Sequence, residues 1–279
     1  MARQLAQFLG VILLLAFPYS GVAQPQEVPK APKGFDVKRG DIERGKVETV
    51  DYDSKAVGAK RKLVVYTPPG YDKETKHPVF YLLHGKGGNE SNWTKAGSAN
   101  VILDNLYADK KLVPMIVVMP NGELPATGGK KDFTSGFENE LLKDVVPLIE
   151  SRYAVLADPE HRALAGLSMG GGQSLRIGLK HPDKFAYIGG FSSAIFGKAN
   201  LPDGDAAKKI RLLWVSCGDA DTLLNANKSF HDSLEKQKIP HTWHLETGAH
   251  TFTVWRNDLY LFSQQLFRDK KDDDKKNEK

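Results

Sequence analysis

The sequence predicts an α/β fold in which a mostly parallel central sheet carries helices on both faces. Three observations lead there. Short apolar runs alternate along the chain with stretches able to form helices. A serine stands in a glycine-bounded turn between one such run and one such stretch. An aspartate loop and a histidine loop each follow a further apolar run, and an open parallel sheet gathers its functional groups at the carboxyl ends of its strands.

In chain order, Val79-Phe80-Tyr81-Leu82-Leu83 reads as an apolar strand that runs into His84-Gly85-Lys86-Gly87-Gly88. A glycine-rich loop after a central strand can turn backbone N–H groups toward a developing oxyanion. Either Lys86 or Gly87 can supply that group, and because the donor is main-chain, the lysine side chain is no obstacle. His84 suits a structural role in shaping the loop.

Arg162-Ala163-Leu164-Ala165 suits a buried strand, and the stretch from Gly171 to Leu179 can start a helix. Between them lies Gly166-Leu167-Ser168-Met169-Gly170. A serine in so tight a strand-to-helix turn has strained backbone geometry and an exposed hydroxyl. A Cβ at Gly166 or Gly170 would crowd the neighbouring strand and helix. The helix start aims N–H groups at the same place, with that of Met169 a second candidate donor.

A free serine is a poor nucleophile, so Ser168 needs a histidine base and a carboxylate to orient that histidine. Ile210-Arg211-Leu212-Leu213-Trp214-Val215-Ser216-Cys217 is a buried-strand pattern leading into Gly218-Asp219-Ala220-Asp221-Thr222. Asp221 lies deeper in the turn, just before a helix starting near Leu223, and is preferred to Asp219 as orienter; either could instead be an N-cap. His241-Thr242-Trp243-His244-Leu245-Glu246 is a further strand, followed by Thr247-Gly248-Ala249-His250. His250 follows a glycine in a loop and precedes the helical run through Val254, Trp255, Leu259, Leu261, Phe262 and Leu266, which makes it the expected base.

The other histidines are ordinary. His241 and His244, three apart on a strand, face opposite sides and cannot share a metal; His77 and His231 carry no pattern. With no HExxH motif, paired cysteines or calcium-loop spacing, neither a metal nor a cofactor is expected. The net charge of +5 is mild and lacks a basic cluster interleaved with aromatics, which argues against nucleic-acid binding. The single cysteine, Cys217, ends an apolar strand and is expected in the core.

Residues 1–23 read as a secretory signal: Arg3 gives a positive start, an apolar core runs from Phe8 to Phe17, and Gly21-Val22-Ala23 is a small-residue cleavage site. An uncleaved anchor is the alternative. Residues 24–44, with Pro25, Pro29 and Pro32, read as a flexible segment, 45–268 as a single catalytic domain, and the highly charged 269–279 as a disordered tail. No membrane association is expected after signal cleavage, and the sequence leaves the oligomeric state open.

Several of these segments together resemble a known family. Val64-Val65-Tyr66-Thr67-Pro68-Pro69-Gly70-Tyr71, Tyr81-Leu82-Leu83-His84-Gly85, Asp144-Val145-Val146-Pro147-Leu148-Ile149-Glu150-Ser151-Arg152-Tyr153, the Ser168 turn, and Gly248-Ala249-His250 followed by Trp255 look like the esterase D-type α/β-hydrolases. Within that group the sequence is most similar to carbohydrate esterase family 1, which includes feruloyl and acetyl xylan esterases. The resemblance spans residues 45 to 267. It implies the α/β-hydrolase fold, with Ser168 as nucleophile, Asp221 as orienter and His250 as base, and a secreted serine carboxylesterase acting on ester-substituted plant cell-wall polysaccharide or oligosaccharide. Feruloyl esterase activity is favoured over acetyl xylan esterase activity; an acyltransferase on the same fold is a further alternative, and a non-catalytic binding module is disfavoured by the intact constellation. Lys86 departs from the small or apolar residue expected there. Trp93 and Trp255, and also Phe133 and Phe137, are candidates for stacking on an aromatic acyl group or a sugar.

Overall fold

The computed structural model describes residues 30–125, 133–197 and 201–268. Within them eight strands form one sheet: β1 (Lys46–Ser54), β2 (Ala59–Thr67), β3 (Val79–Leu83), β4 (Ile116–Pro120), β5 (Arg162–Leu167), β6 (Tyr187–Phe191), β7 (Leu212–Gly218) and β8 (Thr242–Glu246). Their order is β1-β2-β4-β3-β5-β6-β7-β8. The β1–β2 and β2–β4 pairs are antiparallel and every pair from β4 through β8 is parallel. This is the expected mostly parallel sheet, with an antiparallel edge from strands the sequence patterns did not single out.

The helices are α1 (Asn92–Lys95), α2 (Ala99–Ala108), α3 (Phe133–Glu140), α4 (Val146–Arg152), α5 (Met169–Lys180), α6 (Gly204–Ala207), α7 (Leu224–Lys236) and α8 (Phe252–Ser263). One wide turn of π-helix, Leu141–Val145, joins α3 to α4. Parallel strands covered on both faces read as unbroken apolar runs, and β3 shows why. Phe80 and Leu82 point into a core shared with α2 and α8, while Val79, Tyr81 and Leu83 point into a core shared with α4, α5 and α7. Cys217 is free and buried, and desolvation pushes its thiol up to about 12, so it stays an unreactive core residue.

The parallel register brings the loops after β3, β5, β6, β7 and β8 to one edge of the sheet, where the site forms. The expected flexible segment 24–44 needs correction from residue 30 onward. Phe35 packs edge-on against Tyr260, Asn105 donates to the Phe35 and Val37 carbonyls, and Asp36 pairs with Arg256 at 2.9 Å. These contacts bind the segment to α2 and α8. The expected signal at 1–23 and tail at 269–279 lie outside the described residues.

Candidate active site

Ser168 follows the last residue of β5 and immediately precedes α5, with φ 53° and ψ −115°. Such a backbone costs a non-glycine residue about 1–3 kcal/mol and persists only where its surroundings fix it. Here the Ser168 N–H donates to the Phe191 carbonyl at 2.9 Å, and the Ser168 carbonyl accepts from Ala194 and Gly172. The flanking glycines are required by close approach. A Cβ at Gly170 would lie 2.4 Å from the His84 carbonyl oxygen, and one at Gly166 would lie 2.7 Å from the Leu83 Cβ.

Around this serine the sheet assembles the residues that the sequence singled out. The Ser168 hydroxyl lies 3.0 Å from His250 Nε2. His250 Nδ1 lies 2.8 Å from Asp221 Oδ2 and 3.1 Å from Oδ1. A carboxylate oxygen only accepts, so Nδ1 carries the proton and Nε2 presents its lone pair to the serine. The Asp221 side chain is fully buried and also accepts the Leu223 N–H at 2.8 Å, which fixes its orientation. Asp219 does other work: its carboxylate accepts the Gly248 N–H at 2.9 Å and pins the loop that carries His250.

The loop after β3 packs directly on the serine, since a Cβ at Gly85 would come within 3.3 Å of the Ser168 Cβ. His84 holds this loop, donating from Nδ1 to the Gly85 carbonyl at 2.7 Å and accepting the Gly122 N–H on Nε2 at 3.0 Å. Of the candidate donors, Gly87 is committed elsewhere, its N–H going to Glu123 Oε1 at 3.0 Å. The Lys86 N–H is left uncommitted among the described residues. Met169 is the first residue of α5, so its N–H has no intrahelical acceptor.

The aromatic candidates fare differently. Trp93 is 1% exposed, donates its indole N–H to the Leu83 carbonyl and packs edge-on against Phe191 and Phe252, so no face is open to a ligand. Phe137 is wholly buried in the core beneath α3 and α4. Trp255 is 7% exposed and meets the His250 ring rather than open space. The side chain of Phe133 lies outside the described residues. In each correction, apolar packing on the sheet has claimed a ring that the sequence alone could not separate from a surface aromatic.

The sequence patterns do not single out Phe196. It is 63% exposed on the loop after β6, two residues beyond Ala194, whose N–H donates to Ser168. The only signal available was an apolar Ile195-Phe196 pair just past a strand end.

The residues match a family model, Esterase, over 54–265. The chain is 35% identical over 257 residues to the endo-1,4-beta-xylanase/feruloyl esterase of Xylanibacter ruminicola, an alignment covering 87% of this chain and 34% of that protein. It is 32% identical over 143 residues to endo-1,4-beta-xylanase Y of Acetivibrio thermocellus, covering 47% of this chain and 13% of the other. The chain thus spans about a third of the first of these curated relatives and 13% of the second. Among solved structures, a CE1 ferulic acid esterase of the anaerobic fungus Anaeromyces mucronatus superposes with a TM-score of 0.77 at 29% identity, over 88% of this chain and 98% of that one. The likeness to carbohydrate esterase family 1 carried by the motifs agrees with these matches, and the chain belongs to the Esterase family.

Proposed function

We propose that this chain is a serine carboxylesterase that releases feruloyl groups from plant cell-wall polysaccharide. The observation that carries the reading is the unbroken relay from the Ser168 hydroxyl through His250 to the buried carboxylate of Asp221. Its support on the acyl side is the feruloyl esterase function named for a 35% identical relative and the structural likeness to a ferulic acid esterase.

In the first half-reaction, Ser168 Oγ attacks the ester carbonyl while His250 Nε2 takes the hydroxyl proton. The negative charge moves to the carbonyl oxygen, where the N–H groups of Met169 and Lys86 are assigned to receive it. Collapse of this intermediate breaks the bond to the sugar oxygen, and His250 returns its proton to that leaving group. Water then attacks the acyl-enzyme by the same route, releasing ferulate and restoring Ser168. The relay needs no group beyond the chain's own residues. We assign residues 1–23 to export, in keeping with a substrate found outside the cell; among the described residues no helix is long and apolar enough to cross a membrane.

The test is a side-by-side release assay on methyl ferulate, feruloylated arabinoxylan and acetylated xylan, with Ser168→Ala as control. Ferulate release abolished in the control is the expected result. Acetate release alone would move the assignment to acetyl xylan esterase, and transfer to an added sugar in preference to water would make the chain an acyltransferase.

A further inference from the structure

On the surface formed by α7 and the start of β8, His231, Glu235 and His241 converge, their ligand atoms all within 4.8 Å of one another. The sequence offers no pattern for this group. His231 and Glu235 stand four apart on one face of α7, and the chain reverses after the helix to bring His241 back against them.

The geometry of His241 prepares it as a ligand. Its Nδ1 lies 2.7 Å from the Ile239 carbonyl oxygen, which can only accept, so Nδ1 carries the proton and Nε2 keeps its lone pair. Metal-bound histidines are oriented by just such a hydrogen bond from the other ring nitrogen. The Nε2 lone pair faces His231 Nδ1 at 2.7 Å and lies 3.8 Å from Glu235 Oε1. The His231 ring is held by stacking on Trp243, centroids 5.0 Å apart and planes 11° from parallel. His241 is 1% exposed at its side chain and Glu235 67%, so two fixed imidazoles meet a carboxylate free to swing inward.

We propose that these three residues form a binding site for a divalent transition-metal ion of the zinc class, separate from the esterase centre. Bonds of about 2.0–2.1 Å in a tetrahedral arrangement place ligand atoms about 3.3 Å apart, between the two separations observed here. Two imidazoles and one carboxylate suit zinc, cobalt or nickel rather than calcium or magnesium, which take oxygen ligands. Three protein ligands leave the fourth position of a zinc ion to water. In the metal-free protein His231 Nδ1–H donates to His241 Nε2; on binding, the metal takes the place of that proton and the His231 ring carries its proton at Nε2 instead, so no proton is released and the site gains only the charge of the ion. Lys228 and Asp232, the other charged groups near His231, are of opposite sign. The ion would tie the end of α7 to the start of β8, whose opposite ends lead from Asp221 and toward His250.

The test is calorimetric titration of the untagged full chain with Zn2+, paired with the visible absorption of Co2+ as a report on coordination. One stoichiometric site per chain is expected, with a tetrahedral Co2+ spectrum and a melting temperature raised by Zn2+. His231→Gln should weaken binding by at least about 10- to 100-fold, as the loss of even an outer-shell partner does. Because His241 is buried, Glu235→Gln on the exposed side gives a second variant that leaves packing intact, and it too should weaken binding and remove the Zn2+-dependent rise in melting temperature. No stoichiometric binding by the parent chain, or binding unchanged in both variants, would overturn the site.

Discussion

The rings of Trp255 and His250 meet edge to face, with centroids 4.8 Å apart and planes 88° from each other. An edge-to-face pair of this kind contributes about 0.5–1.5 kcal/mol beyond area burial, and here it restricts the ring that must reach the serine. Trp255 is therefore a positioning residue. Trp255→Ala should lower kcat by about 10- to 100-fold, because a misplacement of about 1 Å can cost that much, while KM changes little. Trp255→Phe should recover most of the loss. A variant that raised KM and left kcat alone would instead make Trp255 a substrate contact.

Asp221 and Asp219 separate cleanly by what they touch. In Asp221→Asn the amide oxygen stays on the Leu223 N–H and the NH2 group faces His250 Nδ1, which can then no longer carry its proton; the variant should lose about 10^4-fold in kcat, the scale seen when a triad carboxylate is so replaced. Asp219→Asn keeps an oxygen able to accept the Gly248 N–H and should cost less than about tenfold. Steady-state hydrolysis of methyl ferulate by the two variants checks both; a larger loss at position 219 would reverse the assignment.

Asp258 sets a pH dependence of stability unrelated to catalysis. It is wholly enclosed in α8, and desolvation raises its carboxyl to about 8, with the charge of Glu246 adding to the shift. Ser216 and Trp214 lower it in part, yet neither carboxyl oxygen gains a well-formed hydrogen bond. A carboxyl whose folded pKa lies above its unfolded value of about 3.9 contributes its stability in full at acid pH and loses it as the pH rises through the folded value. Urea midpoints should therefore fall between about pH 4 and pH 8 and level off above, and Asp258→Asn should flatten that fall. An equal slope in the variant would assign the titration to another group.

Phe196 offers an exposed ring two residues from the Ala194–Ser168 hydrogen bond. If the ring borders the acyl pocket, an aromatic acyl group stacks there where an acetyl group cannot. Phe196→Ala should raise KM for methyl ferulate by about 2- to 12-fold, the value of one aromatic contact, and leave an acetyl ester nearly unaffected. Equal effects on both esters would place the ring outside the acyl pocket.

Much of this molecule was already legible in local sequence. Leu164, Trp214 and their neighbours lie in unbroken apolar runs because parallel strands are covered on both faces, and that pattern needs no tertiary information. The Ser168 turn was legible because its glycines answer to a clash between adjacent elements, and the preference for Asp221 over Asp219 rested on depth in the turn. Only the tertiary structure decided what lies beyond the turn. It sent the Gly87 N–H to Glu123, buried Trp93 against Leu83, set Trp255 behind His250 and brought His231 to His241. The physical reason is range. Periodicity and turn chemistry act within about a dozen residues, whereas the partner of a ring or an N–H is chosen by chain segments that meet only when the sheet closes.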